Sequence, residues 1–333
     1  MGKVHILNQF LWPDAAPTGI YAEQLADRLG REGAEVILVG GNGSYRRTTR
    51  PQPTTKIINL PHYCGRRSSL LSTLVEYESV GRAYEAYIRK EVRKGDLVVA
   101  TSAPPTTLRL SKTIRRQGAT GIYWLQDFYP ELVRGIYEYP ALLRRMVSKW
   151  WMARLDDWDH VVKAAGNLPG EGPKYRTIRN WPTLSFPKTA ATTTENVALY
   201  TGNLGYCHDL HALIEECRKL HESGCRVEIR ADGVQAKKLP SWIHVAAPFS
   251  SEQELLQAQM AARVHLVAAH PRIQGALFPS KIWNSLAAGK KIVASGFAGK
   301  MAEELDQVFA SPYEEHLNHY VSFLDDCSRA AVG

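Results

Sequence analysis

Short runs of β-branched and aliphatic residues alternate along the chain with longer stretches whose apolar positions recur every three or four residues. Val4–Asn8 reads as a strand. A helix is expected from about Thr18 to Glu32, where Ile20, Leu25 and Leu29 form one stripe and Gly33 ends it. Glu35–Val39 is the next strand, closed by Gly40-Gly41-Asn42-Gly43, and Leu97–Ala100, Gly121–Leu125 and His160–Lys163 follow. The second half repeats the scheme, with strands expected at Val197–Tyr200, Arg226–Arg230, Ile243–Val245, Val264–Ala268 and Lys291–Ser295. Such alternation marks βαβ units, so each half is expected to be an α/β layer structure with a parallel sheet. The stretch Asn180–Thr194 has no period and is rich in Pro, Thr and Ser, which reads as a linker. The expected organisation is an N-terminal domain over 1–182, a linker over 183–194 and a C-terminal domain over 195–333.

One further segment stands apart. In Tyr139–Trp158 the residues Leu142, Leu143, Met146, Val147, Trp150, Trp151, Leu155 and Trp158 recur at helical spacing. Arg144, Arg145, Lys149 and Arg154 occupy the other faces. Tryptophan beside basic residues suits a helix lying in a membrane interface, and the same stripe suits packing in a core.

Composition narrows the class. With 44% hydrophobic and 22% charged residues, the 333-residue chain is neither a long disordered segment nor a fibrous repeat. No run approaches the roughly 18 consecutive apolar residues of a membrane span. The N-terminus lacks the pattern of a signal peptide, so a cytoplasmic location is expected. Five cysteines without a C-x-x-C pair argue against a disulfide framework and a zinc site. The net charge of +8 is uneven: residues 1–150 hold 22 Lys and Arg against 13 Asp and Glu, and the remainder 19 against 20. A basic N-terminal half suits an anionic partner such as a phosphorylated acceptor, a membrane surface or nucleic acid, or is a solvated face.

In parallel sheets ligands bind beyond the carboxyl ends of the strands, so candidate chemistry is sought in strand-to-helix loops. The first, Pro13–Gly19, opens a helix with Thr18-Gly19 and lacks the G-x-G-x-x-G of dinucleotide binding, which argues against an NAD enzyme. In the second, Gln126 and Asp127 follow the strand GIYWL, where Asp127 suits sugar hydroxyls or a base role, or an Asx-turn before Pro130. The third, Tyr200–Leu210, offers Gly202 and Gly205 amides with Asn203 and His208 as further donors, a set suited to a diphosphate. The fourth is Phe278–Gly289. Ser280 reads as an N-cap and Lys281 falls at a helix start, where the dipole disfavours a cation unless an anion is bound. No interleaved aromatic-basic platform occurs, so nucleic acid is not expected, and no metal-bound donor is expected either.

The segments YTGNLGYCHDL and PSKIWNSLAAGKKIVAS resemble the C-terminal domain of glycosyltransferase family 4. WLQDFYPEL and the IRNW segment resemble its N-terminal domain, and the likeness is greatest to bacterial polysaccharide and cell-envelope transferases with a P-S-K-x-[YW] motif. The resemblance implies the GT-B fold, two Rossmann-like parallel-sheet domains facing each other across a cleft, with the last helix able to pack back on the N-terminal domain. It implies a retaining transferase that takes a nucleotide diphosphate sugar, most often a UDP-sugar, without an obligatory metal or other cofactor. The acceptor would be a glycan, a lipid-linked or a small molecule, and a lipid-linked one would place the protein at the inner face of the cytoplasmic membrane.

By the same resemblance Gly19 lies near the donor phosphates, and Gln126 and Asp127 stand where many members carry a His-Asp pair against the transferred sugar. Gly202, Asn203, Gly205 and His208 line the diphosphate, and Ser280 and Lys281 supply the phosphate contact of the PSK group. The chain departs from the pattern in two places. Asn203 and His208 replace an Arg and a Lys, leaving Lys281 as the main cation, and Asn284 replaces the glutamate that holds the ribose. Two other readings share the fold: a UDP-N-acetylglucosamine 2-epimerase, and a partner subunit without activity.

Overall fold

The computed structural model describes residues 2–41, 49–64, 70–136, 140–187 and 195–332. The N-terminal lobe runs β1 (Val4–Leu7), α1 (Pro17–Arg31), β2 (Val36–Gly40), β3 (Lys56–Asn59), α2 (Leu70–Glu91), β4 (Leu97–Thr101), α3 (Ser111–Arg116) and β5 (Thr120–Leu125). It continues through α4 (Tyr129–Ile136), α5 (Ala141–Leu155), β6 (His160–Lys163) and β7 (Tyr175–Thr177). The C-terminal lobe holds β8 (Glu195–Asn203), α6 (Leu210–Glu222), β9 (Arg226–Asp232), β10 (His244–Ala246), α7 (Glu252–Ala261) and β11 (Ala262–Ala268). It ends with α8 (Lys281–Ala287), β12 (Lys291–Ser295), α9 (Gly299–Phe309) and α10 (His316–Val332).

The strands form a seven-stranded sheet of order β3-β2-β1-β4-β5-β6-β7 and a five-stranded sheet of order β10-β9-β8-β11-β12. Every pairing between the named strands is parallel. This is the GT-B architecture of two parallel-sheet α/β domains. The central strands are covered on both faces, which is why β4 reads LVVAT without alternation and is buried throughout. The edge strands β3 and β7 escape the hydrophobic pattern: KIIN is half-exposed, and YRT buries only its tyrosine. In both sheets the connection reverses between the first strand and its neighbour, β1 against β4 and β8 against β11. The loops leaving those strands open a crevice there.

The lobes are joined by more than the linker, of which 188–194 lie outside the described residues. Trp181 is buried in the N-terminal core, stacked on Trp124. Tyr320 of α10 packs 4.5 Å from Trp124, and Phe323 sits edge-on to His160, so the last helix lies on the N-terminal sheet. Arg179 holds the buried Glu304 of α9 through two bonds of 2.7 and 3.1 Å. The Asn167 amide donates to the carbonyls of Gln274 and Leu277 at 2.7 and 2.9 Å.

Candidate active site

The crevice holds a cavity of about 610 Å³ with walls from both lobes, including Ala15, Pro17 and Ile20 on one side and Gly202, Asn203, Ser280 and Lys281 on the other. That volume falls within the range of small-molecule sites, about 300–1,000 Å³.

Gly202, the residue before the end of β8, takes φ +102°, a conformation side-chain-bearing residues rarely adopt. A Cβ there would stand 3.1 Å from Lys281 Cε and 3.6 Å from Nζ. The missing side chain therefore lets the lysine lie across the strand end, with Nζ 5.1 Å from the centre of the Tyr200 ring. Burial pulls the Lys281 pKa down from 10.5 to about 8, and the charge of Asp232 opposes it. The ammonium is charged at neutral pH and poorly hydrated, so an incoming anion gains more from it than from a surface lysine. Ser280 precedes it at φ −61°, ψ −21° and makes no capping bond, which leaves its hydroxyl to the cavity rather than to the cap expected from sequence.

Other expected residues have different duties. The Gly205 N–H, expected to be open, meets His208 Nδ1 at 3.2 Å. Burial, aided by the charge of Lys281, lowers the His208 pKa to about 3, so the imidazole is neutral and shapes the loop instead of adding charge. Gly19 does not line the cavity. Its N–H donates to Ala16 at 3.0 Å, and a Cβ would stand 1.6 Å from the Phe10 carbonyl oxygen, so its bareness serves the approach of α1 to the loop after β1. Asn284 lines the cavity, yet its side-chain oxygen accepts from the Thr183 N–H at 2.8 Å and the Leu184 N–H at 3.3 Å. Its amide donates to Thr183 Oγ1 at 3.0 Å. It fastens the start of the linker.

On the N-terminal side Gln126 and Asp127 end β5, and Ser102 Oγ accepts both of their N–H groups at 3.2 and 3.0 Å. Their side chains part company. Gln126 is buried and exchanges hydrogen bonds of 2.8 and 3.3 Å with Asn180, whose carbonyl in turn bonds His316 of α10 at 2.8 Å. It ties three segments together. Asp127 has no side-chain partner among the described residues, and burial raises its pKa from 3.8 to about 6. It faces the other lobe: burial and then the charge of Asp127 push the Cys207 thiol up to about 11.

Residues absent from the sequence reading complete the cavity. Phe249, with Arg230 4.8 Å over its ring, offers a flat face at the far end. The signal was present, since Phe249 lies in the loop after an expected strand. Glu252, at the start of α7, has its carboxyl raised by burial against the pull of Arg50, and no side chain bonds it among the described residues. Arg50 comes from the N-terminal lobe, fixed by the Glu23 carboxylate and the Asp14 carbonyl, in a loop without a motif. Beside it Thr49 N–H reaches the Ser250 carbonyl at 3.4 Å and joins the lobes. Among the described residues no cluster of three or more His, Cys, Asp or Glu is placed to hold a metal ion, and no helix is long and apolar enough to cross a membrane.

No family profile matches the chain, and no curated protein matches it by sequence. Solved structures do. A sucrose-phosphate synthase from Thermosynechococcus elongatus aligns with a TM-score of 0.60 at 14% identity, over 97% of this chain and 95% of that one. The catalytic domain of starch synthase IV from Arabidopsis thaliana, bound to ADP and acarbose, aligns at 0.63 and 9% identity over the full length of both. Arabidopsis thaliana UGT89C1 complexed with UDP-L-rhamnose aligns at 0.56 and 12% identity over 99% of each chain. At these identities the likeness is one of fold, the GT-B fold of glycosyltransferases that use nucleotide sugars.

Proposed function

We propose that the protein is a glycosyltransferase moving a sugar from a nucleoside diphosphate sugar, UDP-linked in the first instance, to an acceptor hydroxyl delivered from the N-terminal lobe. The observation that carries this reading is the half-buried Lys281 ammonium, laid over Gly202 inside an interlobe cavity of about 610 Å³. The fold neighbours holding ADP and UDP-L-rhamnose support it, as does the family 4 likeness of the PSK segment.

The base lies against Phe249, and Glu252 accepts from the ribose hydroxyls in place of the engaged Asn284. The diphosphate comes to Lys281, Ser280 and the loop after Gly202. As the bond from the anomeric carbon to the phosphate oxygen breaks, negative charge grows on that oxygen, and a fixed cation is worth most at this point. Retention follows when the acceptor hydroxyl attacks from the face the diphosphate leaves, with its proton passing to the leaving oxygen. Lys281 supplies the charge that a divalent cation supplies in other designs. Asp127, ionised above pH about 6, accepts a hydrogen bond from the acceptor or the sugar and orients it. Glycan or envelope synthesis is the setting, with the basic N-terminal half turned towards anionic surfaces.

A donor screen tests the reading: purified protein is titrated calorimetrically with UDP, ADP and GDP and then offered the matching sugar donors, with products read by mass spectrometry. Binding of one nucleotide and transfer from its sugar are expected. Binding of none contradicts the reading, and turnover of a UDP-sugar without acceptor indicates an epimerase.

A further inference from the structure

The helix that carries Lys281 and the strand that ends at Asp127 are joined by a route that avoids the cavity. Residues 180–184 lie along it and are gripped from both lobes. From the C-terminal side Asn284, three residues after Lys281 in α8, takes the Thr183 and Leu184 N–H groups. His316 of α10 donates from Nδ1 to the Asn180 carbonyl at 2.8 Å, and its ring stands edge-on to Trp283 of the same α8, 5.4 Å away. From the N-terminal side Gln24 of α1 donates to the Thr183 carbonyl at 3.0 Å and accepts from Trp181 Nε1 at 2.8 Å. The Asn180 side chain closes the route by clasping Gln126, the residue before Asp127.

The clasp is buried and complete. Gln126 and Asn180 are 6% and 5% exposed, and each amide gives one N–H and takes one in return. By contrast, the buried amides of Gln9, Asn167 and Gln259 each leave their oxygen without a partner. Two apolar side chains would fill the same space without the desolvation cost, but they would not fix direction, as a reciprocal amide pair does. The residue that needs direction is the next in the chain. Burial alone raises the Asp127 carboxyl to about 6. The ionisable groups facing it are Tyr123 of β5, Tyr129 of α4 and Cys207 of the loop after β8, all pushed up by burial and uncharged at neutral pH. The setting of the carboxyl therefore depends on how the end of β5 is held. Ser102 Oγ holds its two N–H groups, and Asn180 holds Gln126.

We propose that Asn180 is a positioning residue: its amide, clasped to Gln126, holds the end of β5 so that Asp127 keeps one seat across the crevice from Lys281. That Asp127 serves transfer rests on the transferase reading; that Asn180 seats it does not. The test follows the Asp127 carboxyl carbon by NMR through a pH titration, with the signal assigned by its loss in Asp127→Asn. The wild-type midpoint is expected at about 6. In Asn180→Ala water reaches the loosened turn, and the midpoint is expected to fall at least halfway towards 3.8. Gln126→Ala opens the clasp from the other side, is expected to act alike, and carries the test where Asn180→Ala does not fold. Exchanging the pair, Gln126→Asn with Asn180→Gln, keeps one long and one short amide and is expected to restore the wild-type midpoint. The calorimetric affinity of Asn180→Ala for UDP is expected to stay at the wild-type value, because its backbone carbonyl still meets His316.

Kinetics give the second arm. Asn180→Ala is expected to lower kcat about tenfold, less than removal of the carboxylate itself. In an Asp127→Asn background it is expected to cost nothing further, because it acts through that carboxylate. A midpoint unchanged in both alanine variants overturns the proposal. So does a loss of kcat that multiplies with that of Asp127→Asn. Absence of transfer from every sugar nucleotide by the wild-type protein, with the midpoint still moved by Asn180→Ala, would overturn the transferase reading alone.

Discussion

The two lobes share one strand order at their switch points and place opposite chemistry there. The C-terminal lobe presents a cation, Lys281, over a bare strand end, with Phe249 and Glu252 around the same cavity. The N-terminal lobe presents a carboxyl, Asp127, amid tyrosines. Burial acts on both ionisable groups, and because it always disfavours the charged form it moves them towards each other, Lys281 down to about 8 and Asp127 up to about 6. The shared architecture therefore sets a cation on one side of the crevice and a carboxyl on the other. Both are charged together only between those two values.

That contrast can be broken from either side. Removing the cation has the largest expected effect: Lys281→Ala lowers kcat/KM by about 10²–10³, the usual loss for one preorganised charge-stabilising group, with the fold intact by circular dichroism. A variant that retains near-normal turnover in steady-state kinetics removes Lys281 from the site. Removing the carboxylate is expected to be milder and of another kind. Asp127→Asn lowers kcat by about 10²-fold, the lower end for a positioned acid or base, and leaves the calorimetric donor affinity unchanged. Equal loss of donor affinity would place Asp127 with the nucleotide instead. The smallest effect is the pH profile of kcat/KM. Activity falls below pH about 6 as Asp127 takes up a proton, and above pH about 8 as Lys281 gives one up. Lys281→Arg, whose guanidinium stays charged, keeps the acid limb and removes the alkaline one.

Much of this arrangement is legible in the residue pattern, and the parts that are not share a cause. The covered strands and amphipathic helices declare themselves by period, whereas β3 and β7 lie at sheet edges and carry too few apolar positions to show one. Lys281 stands out because a cation at a helix start defies the local rule. Gln126 and Asn284 have structural duties that the pattern does not show, because their amides are engaged by partners 54 and 101 positions away, Asn180 and Thr183, which no local spacing reveals. His208 has the chemistry of a cation and loses it to burial. Glu252 and Arg50 carry no motif and acquire meaning only where the lobes meet. Helix α5 shows the limit of periodicity in another way: of that helix only Leu155 is buried, so its apolar stripe marks a helix and not a place in the core.

The central claim is that the interlobe cavity holds a nucleoside diphosphate on Lys281. A crystal structure of the protein with UDP tests it most directly. The pyrophosphate is expected within hydrogen-bond reach of Lys281 Nζ, with the ribose beside Glu252 and the base on Phe249. UDP seated outside this cavity, or inside it with its phosphates away from Lys281, would contradict the account.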